Sequence, residues 1–409
     1  MTSRRLPQYS LFAAMLAAAG LPIYIHAPKF YVDEYGLTLA SLGAVLFGLR
    51  LIDVVQDPVL GWLSARLGDL RGVAVALGVG IMALSMLGLF AIAPPIAPLW
   101  WFALCLTGLF SGFSFLTINF YAQGVLTAET MGCGGYLRVA SWRETGALLG
   151  VCVAAVAPTA FMILTDAPFS TFAVAFAGLA ILAGVAMRRE WSNSLPHSES
   201  GFAQVLSDPL ARRLLILALV NATPVAVSST LFLFFVEGRL GAVGAEGPLL
   251  LLFFLAAAIS APVWGRIAGE IGAKYALLVG MVLAIFAFAF AAALGTGDVV
   301  AFAIICVASG AALGADMTLL PAIFANRMAR IAPNATQAFG LWSFVSKFTL
   351  AFAAVSLLPL LQAAGFQSGA ENSQSALWML TVLYAVVPCV LKLIAVALLA
   401  TTHLEERPQ

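Results

Sequence analysis

Charge is scarce in this chain. Of its 409 residues only 10 % are Asp, Glu, Lys or Arg, where a soluble domain carries about a quarter. That shortage excludes a soluble globular enzyme and a disordered chain. Twenty basic residues stand against nineteen acidic ones, a formal charge of +1, so no polycationic surface awaits nucleic acid. Cysteine is sparse as well. Cys105, Cys133, Cys152, Cys306 and Cys389 form no C-x-x-C pair and no cluster with histidine. They read as unpaired core or membrane-facing residues rather than metal or redox ligands. No H-E-x-x-H helix, phosphate-binding loop or nucleophile–base pair is present. The expectation is no enzyme and no cofactor.

What is abundant is apolar. The AVILMFWYC set makes up 62 % of the residues, and the mean hydropathy is +1.02. A spanning helix needs about 20 mostly apolar residues, and such stretches recur along the whole length. The N-terminal MTSRRLPQ is basic but runs into a segment long enough to span, so it reads as a first helix that stays rather than a cleaved signal. The expected fold is an all-α membrane protein with twelve spans. They lie roughly at 8–32, 38–64, 72–93, 98–124, 135–163, 168–188, 211–236, 247–270, 274–295, 298–325, 337–363 and 376–401. One long polar interval interrupts them. It predicts a six-helix bundle over 1–188, a cytoplasmic linker over 189–210 and a second six-helix bundle over 211–409.

Charge sets the orientation. Arg4, Arg5, Arg66, Arg71, Arg138, Arg188, Arg189, Arg212, Arg213, Arg266, Lys274, Arg327, Arg330 and Arg407 fall on one side of this topology. The opposite loops hold mainly acids: Asp33, Glu34, Asp166, Glu237, Glu246, Asp298 and Glu371, with Lys29 and Arg239 as exceptions. The positive-inside rule then places both termini in the cytoplasm, here of a bacterial inner membrane. The halves also look like a repeat. Pro58-Val59-Leu60-Gly61 matches Pro262-Val263-Trp264-Gly265, and Arg143 matches Lys347, at the same offset of 204 residues. Two six-helix repeats are the construction of major facilitator transporters, which hold their solute between the halves. One chain then suffices as a monomer.

The informative residues are charges inside the spans, each of which costs a few kcal/mol at the bilayer centre unless paired or wet. Span 2 carries Asp53 and Asp57. A spacing of four puts both carboxylates on one face, one turn apart. Without compensation, one such acid takes a proton or a cation sits between them; a structural salt bridge to Arg50 or to another helix is the other reading. Span 5 carries Arg143 and Glu144, span 11 carries Lys347, span 10 carries Asp316, and span 4 carries Asn119, Tyr121 and Gln123. Arg143 and Lys347 lie roughly 13–15 Å from their cytoplasmic ends by helical rise. Lys347 is a counter-charge for Asp53 or Asp57 in an empty site. Arg143 presents a fork to a solute hydroxyl or carboxylate, or pairs with Glu144 or Asp316. Trp142, Trp342 and Tyr121 are candidates to stack on a sugar ring. In span 1, Pro22 and Pro28 bend the helix or end it early, and His26 reads as a gating or structural residue.

The stretch Arg50-Leu51-Ile52-Asp53-Val54-Val55-Gln56-Asp57-Pro58-Val59-Leu60-Gly61 resembles the span 2 signature of the glycoside–pentoside–hexuronide:cation symporters, the melibiose permease family. Residues 30–37, the run Arg138-Val139-Ala140-Ser141-Trp142-Arg143 and the run from Trp342 to Phe348 are similar to further segments of that family. The resemblance implies a major facilitator fold and symport of a small polar solute, a sugar or glycoside. It implies a monovalent cation, H⁺ or Na⁺, at Asp53 and Asp57, with Lys347 and Asn119 alongside. It implies a solute site at Arg143 and at the positions of Asn119 and Gln123; the candidate stacking rings Tyr121, Trp142 and Trp342 join it, and Asp316 is a candidate acid from the other half. The chain departs from the family where Ala13–Ala19 is apolar, where Asn119 and Gln123 replace an aspartate and a tryptophan, and where the loop after span 2 lacks its acid at Ala65, with Asp69 close by. These departures leave a second reading, a proton-coupled exporter or a carrier of lipid-like amphiphiles.

Overall fold

A computed structural model describes residues 6–132, 134–191, 202–332, 334–367 and 372–404, without the side chains of residues 21–26, 29, 39, 40, 50, 54, 159 and 354. Arg4, Arg5, Cys133, residues 192–201 of the linker, Glu371 and Arg407 lie outside the described residues, as do the side chains of Pro22, His26, Lys29 and Arg50. No strand occurs among the described residues. Ten helices among them are long and apolar enough to cross a membrane.

The first predicted span is broken in two, α1 (Leu6–Ala18) and α2 (Leu21–Tyr35), because Gly20 leaves helical geometry and a proline opens the next helix. There follow α3 (Leu39–Arg66), α4 (Arg71–Phe90), α5 (Pro98–Thr130), α6 (Gly135–Leu164) and α7 (Pro168–Met187). A short α8 (Phe202–Ser207) lies in the interval expected to be a linker. Then come α9 (Pro209–Phe234), α10 (Glu246–Ile271), α11 (Ala273–Ala291), α12 (Val299–Ile331) and α13 (Thr336–Ala363). The last predicted span is interrupted as well: α14 (Gln374–Thr381) passes through a π-helical turn at Val382–Val386 into α15 (Val387–Ala400). A second π-helical turn, Phe235–Arg239, extends α9.

Local sequence explains the boundaries. The Thr38 hydroxyl accepts from the Ser41 amide at the start of α3, and the Asp208 carboxylate accepts from the Ala211 amide at the start of α9. Prolines open α5, α7 and α9, where an amide hydrogen would have no partner.

The chain divides into two compact units. The first holds residues 1–205 with 328–344, and the second holds 206–327 with 345–409. The division differs from the two sequence halves in that the end of α12 and the start of α13 cluster with the first half.

In the first unit α1 packs against α6, α4 against α5 and α7, and α3 against α5. Tyr9, Phe12, Phe120 and Trp191 form a run of ring contacts in its core. The α1–α6 contact depends on Gly146 and Gly150, one helical turn apart on α6, which rest on the backbones of Ser10 and Ala14. A β-carbon at either position would overlap a carbonyl of α1. Such close backbone contact is how membrane helices gain van der Waals attraction, since lipid supplies no hydrophobic drive between them.

In the second unit α15 packs against α9 and α11. The two π-helical turns place Phe235 and Tyr384 face to face, ring centroids 4.1 Å apart. Arg213 donates to Thr401 and Thr402, and Lys274 to the Ala400 and Thr402 carbonyls. Two cations thus hold the carbonyl end of α15, as the helix dipole favours. Arg327, near the end of α12, donates through Nε to Asp208 at 3.1 Å and also forms an ion pair with it.

Two outcomes follow for stability. Gly146→Ala is expected to lower the thermal midpoint of the purified protein, at a cost of about 1–3 kcal/mol for forced overpacking. Its neighbour Ala147→Ser, partly buried, serves as the comparison and is expected to change the midpoint little. Hydrogen bonding from Arg327 holds the Asp208 carboxyl below its ordinary range. A depressed acid contributes stability above its unfolded value, near pH 4, and loses it as pH falls through the folded value. Asp208→Asn is therefore expected to lower the midpoint at pH 7 and to converge with the parent protein as the pH falls below about 4.

Candidate functional site

The candidate residues fall into four clusters, three in the first unit and one in the second. The first is on α3. Asp53 is 5 % exposed and Asp57 fully buried. The Asp53 Oδ1 accepts from the Gln56 amide at 2.9 Å and the Ser114 hydroxyl at 3.0 Å. Gln56 in turn accepts from the Ser111 hydroxyl at 2.9 Å. Asp57 accepts from the hydroxyl of Ser343, at the start of α13. This approach requires glycine. Gly61 and Gly340 lie against each other, and a β-carbon on either would come within 2.9 Å of a backbone oxygen of the opposite helix, Thr336 or Asp57. The two acids expected to share one face are thus both buried and hydrogen-bonded to hydroxyl or amide donors. Ser111, Ser114 and Ser343 were not foreseen. A hydroxyl within an apolar span is the signal that finds them.

The second cluster surrounds Arg71, the first residue of α4 and 1 % exposed. Its Nε donates to Asn119 Oδ1 at 3.0 Å, one terminal nitrogen to Gln123 Oε1 at 2.7 Å, and the other to the Asn119 carbonyl at 2.9 Å. The Ser64 hydroxyl also donates to Asn119 Oδ1 at 2.7 Å, and Asn119 Nδ2 donates to the Phe115 carbonyl at 2.8 Å. Trp191 stands with its ring 5.3 Å from the guanidinium. Asn119 and Gln123, expected as ligands, here have their side-chain oxygens engaged by Arg71. In the sequence Arg71 is one of many basic residues flanking the spans, and only its position at the start of an apolar run distinguishes it.

The third cluster joins Arg143, Glu144 and Tyr121. Arg143 is 5 % exposed. Its Nε donates to Glu144 at 2.7 Å, and the Tyr121 hydroxyl donates to the same carboxylate oxygen at 3.0 Å. The guanidinium lies 3.6 Å above the Tyr121 ring, which contacts Phe339 on its own account. The Arg143 Nη2 is buried without a hydrogen-bond partner. Of the partners open to Arg143 in the sequence, it takes Glu144. Trp142, next in the chain, is 44 % exposed, and Trp342 is partly buried.

The fourth cluster belongs to the second unit. Lys392 on α15 donates to Asp316 on α12 and to Asn221 Oδ1 on α9, both at 2.5 Å. Asp316 was expected; Lys392 and Asn221 were not. Lysine inside the last apolar span is a signal the sequence carries. Lys347, on the part of α13 that clusters with this unit, is 8 % exposed. Among the described residues no group of three His, Cys, Asp or Glu side chains is arranged to hold a metal ion.

Ten helices long and apolar enough to cross a membrane, several of them carrying buried ionisable groups among the described residues, fit a secondary transporter. Residues 9–406 match the family described as MFS/sugar transport protein, and the chain belongs to that family. Among solved structures, that of a bacterial homologue of the iron transporter ferroportin in its outward-facing state is similar in fold. Its TM-score is 0.73 at 14 % identity, over 98 % of each chain. No curated protein sequence matches the chain.

The Arg71 cluster yields a prediction. Asn119→Ala strips a buried guanidinium of an acceptor, a loss of about 1–3 kcal/mol. It is expected to lower the thermal midpoint by several degrees. Asn119→Asp restores an acceptor and adds a countercharge, and is expected to recover the midpoint. Equal midpoints for the parent protein and Asn119→Ala would remove Asn119 from this role.

Proposed function

We propose that the chain is a symporter that couples transport of a small polar solute, a sugar or glycoside, to a monovalent cation, H⁺ or Na⁺, by alternating access. The observation that carries this reading is the pair Asp53 and Asp57. Both are buried in a membrane helix, one turn apart, and among their partners are small donors, Ser114, Gln56 and Ser343. Hydroxyl and amide groups can turn an oxygen toward a cation as readily as they donate to an empty carboxylate. Such a site is stable when filled and uneasy when empty, which is what coupling requires.

In this reading Asp53 and Asp57 bind the cation, and Lys347 supplies the positive charge when it is absent. Arg143 offers its unused Nη2 to a solute oxygen, with Tyr121 beneath it and Trp142 and Trp342 as candidate stacking rings. Asn119 and Gln123 serve by holding Arg71. The resemblance of span 2 to the melibiose permease family supports this assignment. The protein works as a monomer in a bacterial inner membrane with both termini in the cytoplasm, as the distribution of arginine favours.

The test is solute-evoked current in proteoliposomes across a panel of sugars and glycosides, with and without Na⁺ and across pH. Asp53→Asn and Asp57→Asn are each expected to abolish accumulation against a gradient while downhill exchange survives. Accumulation retained in both single variants would end the coupling assignment. Silence across the panel with folded protein would favour the amphiphile carrier or exporter, a reading that the apolar Ala13–Ala19 stretch supports.

A further inference from the structure

The cluster on α9, α12 and α15 is not absorbed by the cation reading, and it is built asymmetrically. Asp316 has two carboxylate oxygens. Oδ2 receives Lys392 at 2.5 Å, while Oδ1 is buried with no hydrogen-bond partner. Lys392, 1 % exposed, divides its protons between that carboxylate and Asn221 Oδ1, and Asn221 is 3 % exposed. An ionised carboxylate accepts through both oxygens, and a buried acceptor left unsatisfied is costly. A pair that served only to tie three helices together would spend both oxygens on the protein. This one turns one oxygen to Lys392 and leaves the other unused.

We infer that Asp316 is a solute-docking residue of the second unit, whose Oδ1 takes a hydroxyl or ammonium donor of the transported molecule. Lys392 and Asn221 are positioning residues: they fix the rotamer of Asp316 and supply the countercharge that its burial demands. The inference rests on the solute reading above and narrows it to molecules that carry a hydrogen-bond donor at that point.

The experiment has two arms and uses the full chain. The first needs no solute. In a variant in which all native cysteines except Cys306 are replaced by alanine, Asp316→Cys is combined with Lys392→Met, so that no lysine is left unpaired. The thiols are titrated in proteoliposomes with a cationic, water-soluble methanethiosulfonate. Cys306, on the same helix and 2 % exposed in an apolar cluster, is the internal standard. A docking residue is visited by water as the carrier cycles, so position 316 is expected to react at least roughly tenfold faster than Cys306. Equally slow reaction at both positions overturns the proposal.

The second arm compares the parent protein with the charge-neutral double variant Asp316→Asn with Lys392→Met. Thermal midpoints are read with and without methyl α-D-glucoside and D-glucosamine. The double variant, read against its own ligand-free midpoint, is expected to need roughly tenfold more probe for the same ligand-induced shift, the worth of one charge-assisted hydrogen bond. An unchanged probe response makes the cluster purely structural and overturns the proposal. Should neither probe shift the parent protein, the sugar reading fails, and the thiol arm alone decides the docking assignment.

Discussion

A charge taken into hydrocarbon must be compensated by the protein that carries it there. Much of this structure follows from that constraint. Arg71 is surrounded by the oxygens of Asn119, Gln123 and a backbone carbonyl, and those contacts fix α4 against α5. Arg143 lies on its neighbour Glu144 and on the Tyr121 ring, which fixes α6 against the same helix. Lys392 draws α9 and α12 to α15. Apolar side chains give these helices little reason to prefer one rotation about their axes over another, because lipid solvates them as well as protein does. The polar contacts supply the preference. The glycine contacts at Gly146 and Gly61 let the backbones come near enough for it to be expressed.

Compensation takes two forms with different consequences. Arg143 with Glu144 and Lys392 with Asp316 are neutral in sum and internal to their units, so they persist without help from outside. They are suited to present one unused atom in a fixed place, Nη2 in one case and Oδ1 in the other. Asp53 and Asp57 carry the same sign and stand one turn apart, and small hydroxyl and amide donors are among their partners. A fixed pair suits recognition, whereas two like charges suit an exchangeable cation, and the proposed assignment of roles follows that difference.

Much of this was legible in the sequence. The spans read from hydropathy agree with the helices to within a few residues for α3, α6 and α7, whereas α5 runs six residues past its expected end at 124, and the break at Gly20 follows from the proline after it. The shared face of Asp53 and Asp57 follows from their spacing alone. What stayed hidden depends on helix rotation and on partners far along the chain. Arg71 looked like one more flanking arginine, because its acceptors lie about fifty residues downstream on another helix. Lys392 stands out in its otherwise apolar span, but its partners lie far along the chain on α9 and α12, so the sequence assigns it no role. The clustering of residues 328–344 with the first unit has no local signal at all.

The π-helical turn at Val382–Val386 has the same invisibility, since its residues are as apolar as those of any helix. Each such turn admits one residue more than an α-helical turn does. One residue corresponds to about 100° of rotation about the axis. The turn lies just before α15, so its extra residue sets the azimuth at which Lys392 leaves that helix. Remove it, and the ammonium would swing by more than a quarter of a circle, away from α9 and α12. The phase of the last helix is thus encoded in a single added residue. An alignment that closed up that one position would lose the lysine's partner while leaving every hydropathy value intact.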